Sequence, residues 1–247
     1  DADGETVTET TKLSPEGIEG KAGVTISGGT INVQTTDDCI NVSQTSGEVK
    51  ISGGKIYAYS SGNDAIDSNG TISISGGTIV ALTATTPECA FDCDSNNFAI
   101  TGGTLIGIGT SNYSKPTASA CGQSVVVLGG NYLGSGGTTF ALENSSGEAV
   151  FAFVIPSSIY SSLNSNYVAV LSSPNIKTGT SYSLFAGVTA SGGSGSNGLY
   201  ETLPAVSGGS ATATGISTTS SNYVYTLASS SAQGGPGGTP GGGPGGR

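Results

Sequence analysis

An all-β chain built on a parallel β-helix is the fold this sequence predicts, and three observations predict it. Gly-Gly pairs recur, apolar and polar residues alternate on both sides of each pair, and acids return at one point of the cycle. The first glycines of the pairs are Gly28, Gly53, Gly76, Gly102 and Gly129, so a cycle runs 23 to 27 residues. Four positions before them stand Val24, Val49, Ile72, Phe98 and Val125; two positions before stand Ile26, Ile51, Ile74, Ile100 and Val127. Beyond the glycines come Ile31, Ile56, Ile79, Leu105 and Tyr132, then Val33, Ala58, Ala81, Gly107 and Gly134. The residues between these columns are mostly Thr, Ser, Lys or Asn, the period-two signal of half-buried strands. Each Gly-Gly supplies a bend that no side chain obstructs. A third short strand per cycle is expected at "CINV", "AIDS" and "AFDC". Three short strands and three turns in about 25 residues match one solenoid coil, whereas a propeller blade needs about 40.

The repeats are expected over residues 14–136, after a lead-in or cap at 1–13. From 137 to 230 the columns fade, but "TTFALENSSGEAVFAFVIPSS" and "NYVAVLSSPNIKTGTSYSLFAGV" still alternate. Hairpin turns are expected at Ser146-Gly147 and at Lys177-Thr178-Gly179, giving strands that cap the C-terminal end of the solenoid or continue it. "ASGGSGSNGLYETLPAVSGGSATATG" reads as loop, followed by a last strand around Tyr223 to Leu227. The tail 231–247 is Gly/Pro-rich and expected to be disordered.

Composition narrows the function classes. The net charge is −10 and the only arginine is Arg247, so a nucleic-acid partner is not expected. No run approaches about 18 consecutive apolar residues, so no membrane span is expected. Four cysteines suit a secreted or cell-surface protein. With no histidine and no C-x-x-C pair, they do not form a zinc pattern. Phe91 facing inward places Cys93 inward, and Cys121 follows at the corresponding place one coil later. Cys93–Cys121 is therefore the favoured disulfide, with four reduced core thiols as the alternative.

Ten of the 17 acids lie between Glu16 and Asp94, and none falls from Ser95 to Leu142. Aligned residues of successive coils lie about 4.8 Å apart, which stacks these acids in columns. Glu16, Asp38 and Asp64 form one column, with Cys89 next in line. Glu19, Asn41, Asp67 and Asp92 form a second; Asp37, Asn63 and Glu88 form a third; Asp94 lies on the same outward face. Stacked carboxylates repel one another and raise each other's pKa unless a cation neutralises them. Oxygen donors without histidine suit calcium, which takes about six to eight oxygens, rather than zinc. The competing reading is that Asp and Asn simply cap turns.

The segments "TISGGTINVQTTDDCINV", "KISGGKIYAYSSGNDAIDSNGTISISGGTIVA" and "PECAFDCDSNNFAITGGTLIGIGT" resemble a family of bacterial carbohydrate-binding β-helix proteins. That resemblance implies a right-handed parallel β-helix, related in fold to polysaccharide lyases. It also implies calcium held by turn acids, and binding of polygalacturonate and cellulose without cleavage. The implied metal positions are Asp37, Asp38, Asn63, Asp64, Asp67, Glu88, Asp92 and Asp94. Cys39, Cys89 and Asn41 depart from the pattern.

No catalytic residue is expected. A uronate lyase needs a base for the C5 proton, and Lys50 and Lys55 flank one Gly-Gly turn, but each equally reads as a solvated strand residue. A Ser–His–Asp arrangement is excluded by the lack of histidine. In "KIYAYS", Ile56 and Ala58 point inward, so Tyr57 and Tyr59 point outward, where exposed rings could stack on sugars. Ligand-facing positions are therefore Tyr57, Tyr59, Lys50 and Lys55, and the expected partner is a polysaccharide. A purely structural stalk and a lyase are the alternatives.

Overall fold

The computed structural model describes residues 15–228 and is all-β, with a β-solenoid of about four turns. The expected lead-in at 1–13 and the Gly/Pro tail lie outside the described residues. Each coil has one short and one long strand. The short strands are β1 (Ile18–Glu19), β3 (Ile40–Val42), β5 (Ile66–Ser68) and β7 (Phe91–Cys93), stacked as one parallel sheet. The long strands are β2 (Gly23–Thr35), β4 (Glu48–Ser60), β6 (Thr71–Thr83) and β8 (Phe98–Gly109), also parallel. Register follows the sequence columns: Val24 beside Val49, Ile72 and Phe98, and Ile31 beside Ile56, Ile79 and Leu105.

The Gly-Gly bends sit inside the long strands as bulges, where the register shifts. The two glycines have different reasons. The second (Gly29, Gly54, Gly77, Gly103) has φ of 86°, 97°, 96° and 91°, a conformation other residues rarely adopt. The first approaches the coil beneath, so that a Cβ on Gly53, Gly76 or Gly102 would strike the carbonyl oxygen of Ser27, Ser52 or Ser75.

Inside the solenoid the columns fill a single apolar core. Its volume is balanced between faces: Phe91 replaces Ile40 and Ile66 in the short-strand column, and Gly107 replaces Ala58 and Ala81 in the opposite one. A Cβ on Gly107 would collide with the Phe91 ring, which instead packs on Phe98 with centroids 5.1 Å apart.

The fifth Gly-Gly pair does not make a fifth coil. Val125–Gly129 forms β9, but strand β12 (Val168–Ser172) runs antiparallel between it and β8. Ser172 pairs with Val125 on one side and Leu105 on the other, so Val125 stands level with Leu105 rather than Phe98. Gly129 is extended (φ −72°) and Gly130 opens a short 3-10 turn at Gly130–Tyr132. A Cβ on Gly130 would press into the ring of Tyr167. The glycine that resembled a bend gives room to an aromatic. The last strand, β18 (Val224–Leu227), pairs parallel with β9 and ends this seven-stranded sheet.

A second seven-stranded sheet is built from β10 (Thr139–Glu143), β11 (Ala149–Val154), β13 (Tyr182–Ser191), β14 (Ser194–Ser196), β15 (Leu199–Thr202), β16 (Ala205–Ser207) and β17 (Ser210–Ile216). The Ser146-Gly147 hairpin joins β10 to β11 as expected. Lys177–Gly179, by contrast, links β12 to β13 in different sheets and is not a hairpin turn. The glycine-rich stretch read as loop carries β14 to β17; its positive-φ glycines, including Gly192, Gly193, Gly208 and Gly209, lie between or beside these strands. "PSSIYSSL" contributes a short helix, Ser157–Leu163, that buries Ile159 and Leu163; no alternation of period two announces it.

The second sheet packs on the outward face of the long-strand sheet, forming a second core around Val80, Leu82, Ile106, Ile108, Phe140, Phe151 and Phe153. Along that face the register runs Asn32, Tyr57, Val80, Ile106 and, two residues on, Gln34, Tyr59, Leu82, Ile108. The columns turn from polar to aromatic to aliphatic. They therefore mark where the second layer covers the solenoid and where it stops.

Candidate functional site

The acids sit in the turn between each long strand and the next short one, and a column of hydroxyls fixes that turn. Thr35 Oγ1 and Ser60 Oγ donate to the Asp37 carbonyl at 2.5 and 2.7 Å, Thr83 Oγ1 to the Asn63 carbonyl at 2.7 Å, and Thr110 Oγ1 to the Pro87 carbonyl at 2.6 Å. Sequence reading missed these residues, although the signal was there: Thr, Ser, Thr and Thr follow the same strands at their ends. Thr83→Val keeps the shape and leaves the half-buried Asn63 carbonyl without this donor. It should lower unfolding stability by about 1–2 kcal/mol in a denaturant titration.

In the first column the carboxylates reach upward. Asp38 Oδ1 accepts from the Asp64 backbone N–H at 3.0 Å, and Asp64 Oδ1 from the Cys89 N–H at 2.6 Å. Cys89 breaks the series. Its thiol is buried and faces the Phe91 carbonyl at 3.2 Å. Asp64, Cys89 and Asp92 nevertheless bring one ligand atom each within 4.8 Å of one another. The second column is in register as Glu19, Asn41, Asp67 and Asp92. In the third, Asn63 Nδ2 donates to Asp37 Oδ1 at 2.6 Å, with Glu88 half-buried one coil on.

Charge in this region is poorly accommodated. Burial, then the charge of Asp64, pushes Asp38 up to about 8; burial, offset in part by the Cys89 N–H, leaves Asp64 at about 7. Burial, then Asp38, Asp64, Asp92 and Asp94, pushes Asp67 up to about 9. Glu16, Glu88 and Asp94 are raised by burial and, to a smaller degree, by neighbouring acids. Among the described residues the one ion pair is Lys55–Glu201, so no basic side chain offsets this cluster. At its lower end Asn41 Nδ2 donates to Glu16 Oε1 at 2.7 Å, while Asn41 Oδ1 and Glu16 Oε2 are buried without a partner. Two orphaned oxygens beside carboxylates that resist ionisation form a donor set suited to a hard cation. Glu19 is exposed and accepts from Ser43 Oγ at 3.4 Å, at the margin of the group.

Residues 1–65 match the family model of a "Carbohydrate-binding domain-containing protein". The match supports carbohydrate binding, with a polysaccharide as partner. It spans coils 1 and 2, including Glu16, Asn41, Asp38 and Asp64. Neither a curated protein nor a solved structure matches the chain. No helix among the described residues is long and apolar enough to cross a membrane.

The expected ligand-facing residues fall in two places. Tyr57 and Tyr59 do point outward, but they are half-buried against the second core rather than fully exposed, because the second sheet packs on the same face. Lys55 Nζ lies 2.7 Å from Glu201 on β15. Lys50 stands before the bend, in register with Thr25 and Ser73, away from both tyrosines. The four cysteines are free and buried, so the Cys93–Cys121 disulfide is not formed. The two thiols point to different partners: Cys93 Sγ to the Gly70 carbonyl at 3.5 Å, and Cys121 Sγ to the Phe98 carbonyl at 4.0 Å.

Proposed function

We propose that this chain is a secreted or cell-surface protein that binds acidic polysaccharide, such as polygalacturonate, through calcium held on the acid ladder, and does not cleave it. The observation carrying this reading is that Asp38 and Asp64 are buried beside the half-buried Asp67, all three raised in pKa, with no basic neighbour. Asp38, Asp64, Asp67 and Asp92, with Glu16 and Asn41 below them, would hold the ion; Asp37, Asn63, Glu88 and Asp94 border it. Bound calcium supplies positive charge that can be shared with uronate carboxylates. The chain's own part is to fix the carboxylates by strand register and by the hydroxyl latches at each turn. Cleavage is disfavoured because Lys55 is tied to Glu201 and no lysine is among the groups that perturb Asp38, Asp64 or Asp67.

The backbone bonds accepted by Asp38 and Asp64 favour a second reading, in which these acids are turn caps of a structural stalk. One experiment separates the readings. Calcium is titrated calorimetrically into chelator-stripped protein, followed by polygalacturonate, with absorbance monitored at the unsaturated-uronate band. Calcium binding, calcium-dependent glycan binding and a flat absorbance trace support the proposal. No heat with calcium leaves the stalk, and rising absorbance establishes a lyase.

A further inference from the structure

A groove on the outward face of coils 1 and 2 meets the acid ladder only at Glu16. Its floor is Asn32 and Gln34 on β2, in register with Tyr57 and Tyr59 on β4. One wall is the turn between β14 and β15, where Ser196 and Asn197 stand over Tyr57. That hairpin is tethered by Glu201, whose carboxylate takes Lys55 Nζ at 2.7 and 3.0 Å. Two hollows share Asn32: one of about 180 Å³ under Ser196 and Asn197, and one of about 680 Å³ running past Gln34 and Tyr59 to Thr36 and Glu16. From Thr30 to Thr36 the floor is about 20 Å long.

Chemistry chooses the occupant. Tyrosine rings offer apolar faces to the C–H faces of a pyranose, and the amides of Asn32, Gln34 and Asn197 can both donate to and accept from its hydroxyls. The cation at the site, Lys55, is neutralised by Glu201, and Glu16 closes the far end, so a uronate carboxylate finds no partner. Higher on the same face these positions are Val80, Leu82, Ile106 and Ile108, buried under the second sheet. Asn32, Gln34, Tyr57 and Tyr59 thus occur only where that cover ends, within the segment that matches the carbohydrate-binding family model.

We propose that this groove binds a neutral polysaccharide lying along β2 and β4, without any metal, and that the β14–β15 turn forms its wall. Among the acids of the ladder the site meets only Glu16, at its far end, and it does not depend on the calcium reading. The test is affinity electrophoresis of the whole chain through gels containing xyloglucan, galactomannan, mixed-linkage β-glucan or hydroxyethylcellulose, with chelator throughout. At least one glycan should retard the protein. Tyr57→Ala and Tyr59→Ala should each weaken retardation about tenfold. Gln34→Ala changes an exposed side chain, and Asn197→Gly keeps a φ of 51° that glycine adopts freely; each should weaken it severalfold. If the tyrosine variants fail to fold, these two decide. The proposal is overturned if none of the four glycans retards the chain in chelator, or if Gln34→Ala and Asn197→Gly migrate like the parent.

Discussion

In chelator, the melting temperature should fall as pH rises from 4 to 9, and saturating calcium should reverse that slope. Asp38, Asp64 and Asp67 have folded-state values near 8, 7 and 9, against an ordinary value of 3.8. A carboxyl whose pKa is raised by folding contributes stability that is complete below the unfolded value and is lost as pH climbs through the folded one. The loss therefore begins above about pH 4, is steepest up to about pH 7, where all three groups hold protons only in the folded state, and is complete above about pH 9. Calcium needs the same groups ionised, so its stabilisation grows over the interval in which the metal-free protein weakens. Thermal melts at each pH unit, with EDTA and with millimolar calcium, give two curves of opposite slope. Parallel curves would show that the ladder holds no cation.

Asp67→Asn should invert its effect on stability with the metal. Asp67 is the most strongly raised of the three acids, and four other carboxylates add to the effect of burial. At pH 8 without calcium, Asp67 must take up a proton on folding, a cost the amide does not carry, so the variant should be more stable by about 2 kcal/mol. With calcium it has lost an anionic donor, and should gain less from the ion than the parent does. Urea titrations of both proteins with and without calcium close this thermodynamic cycle. A variant less stable in both conditions would mean that Asp67 serves the fold and not a cation.

The sequence made the solenoid readable because its constraints repeat. Val24, Val49, Ile72 and Phe98 share one environment, so four weak signals add to one strong one, and the same addition aligned Asn41, Asp67 and Asp92 correctly. Beyond Gly109 each position is unique. Gly129-Gly130 repeats a pattern whose cause has changed from a bend to the ring of Tyr167. The strands between Ser194 and Ile216 were hidden because Gly and Ser have weak strand preference, and pairing with β11 and β13 decides their state. Tyr57 and Tyr59 were legible as outward-facing but not as half-covered, since the covering sheet comes from far along the chain. Lys55 and Glu201, 146 positions apart, could be paired only by the fold.

The seam between β8 and β12 sets a rule for how such an array can change length. A further copy of the 25-residue unit added after Gly109 would part β8 from β12, and would pull the covering sheet off Ile106 and Ile108. Duplication before coil 3 meets neither obstacle, because the aliphatic face and its cover move together as one block. Recombination can therefore add or remove rungs, with their acids, amides and tyrosines, on that side alone, and reach can evolve while the far end remains a fixed stop.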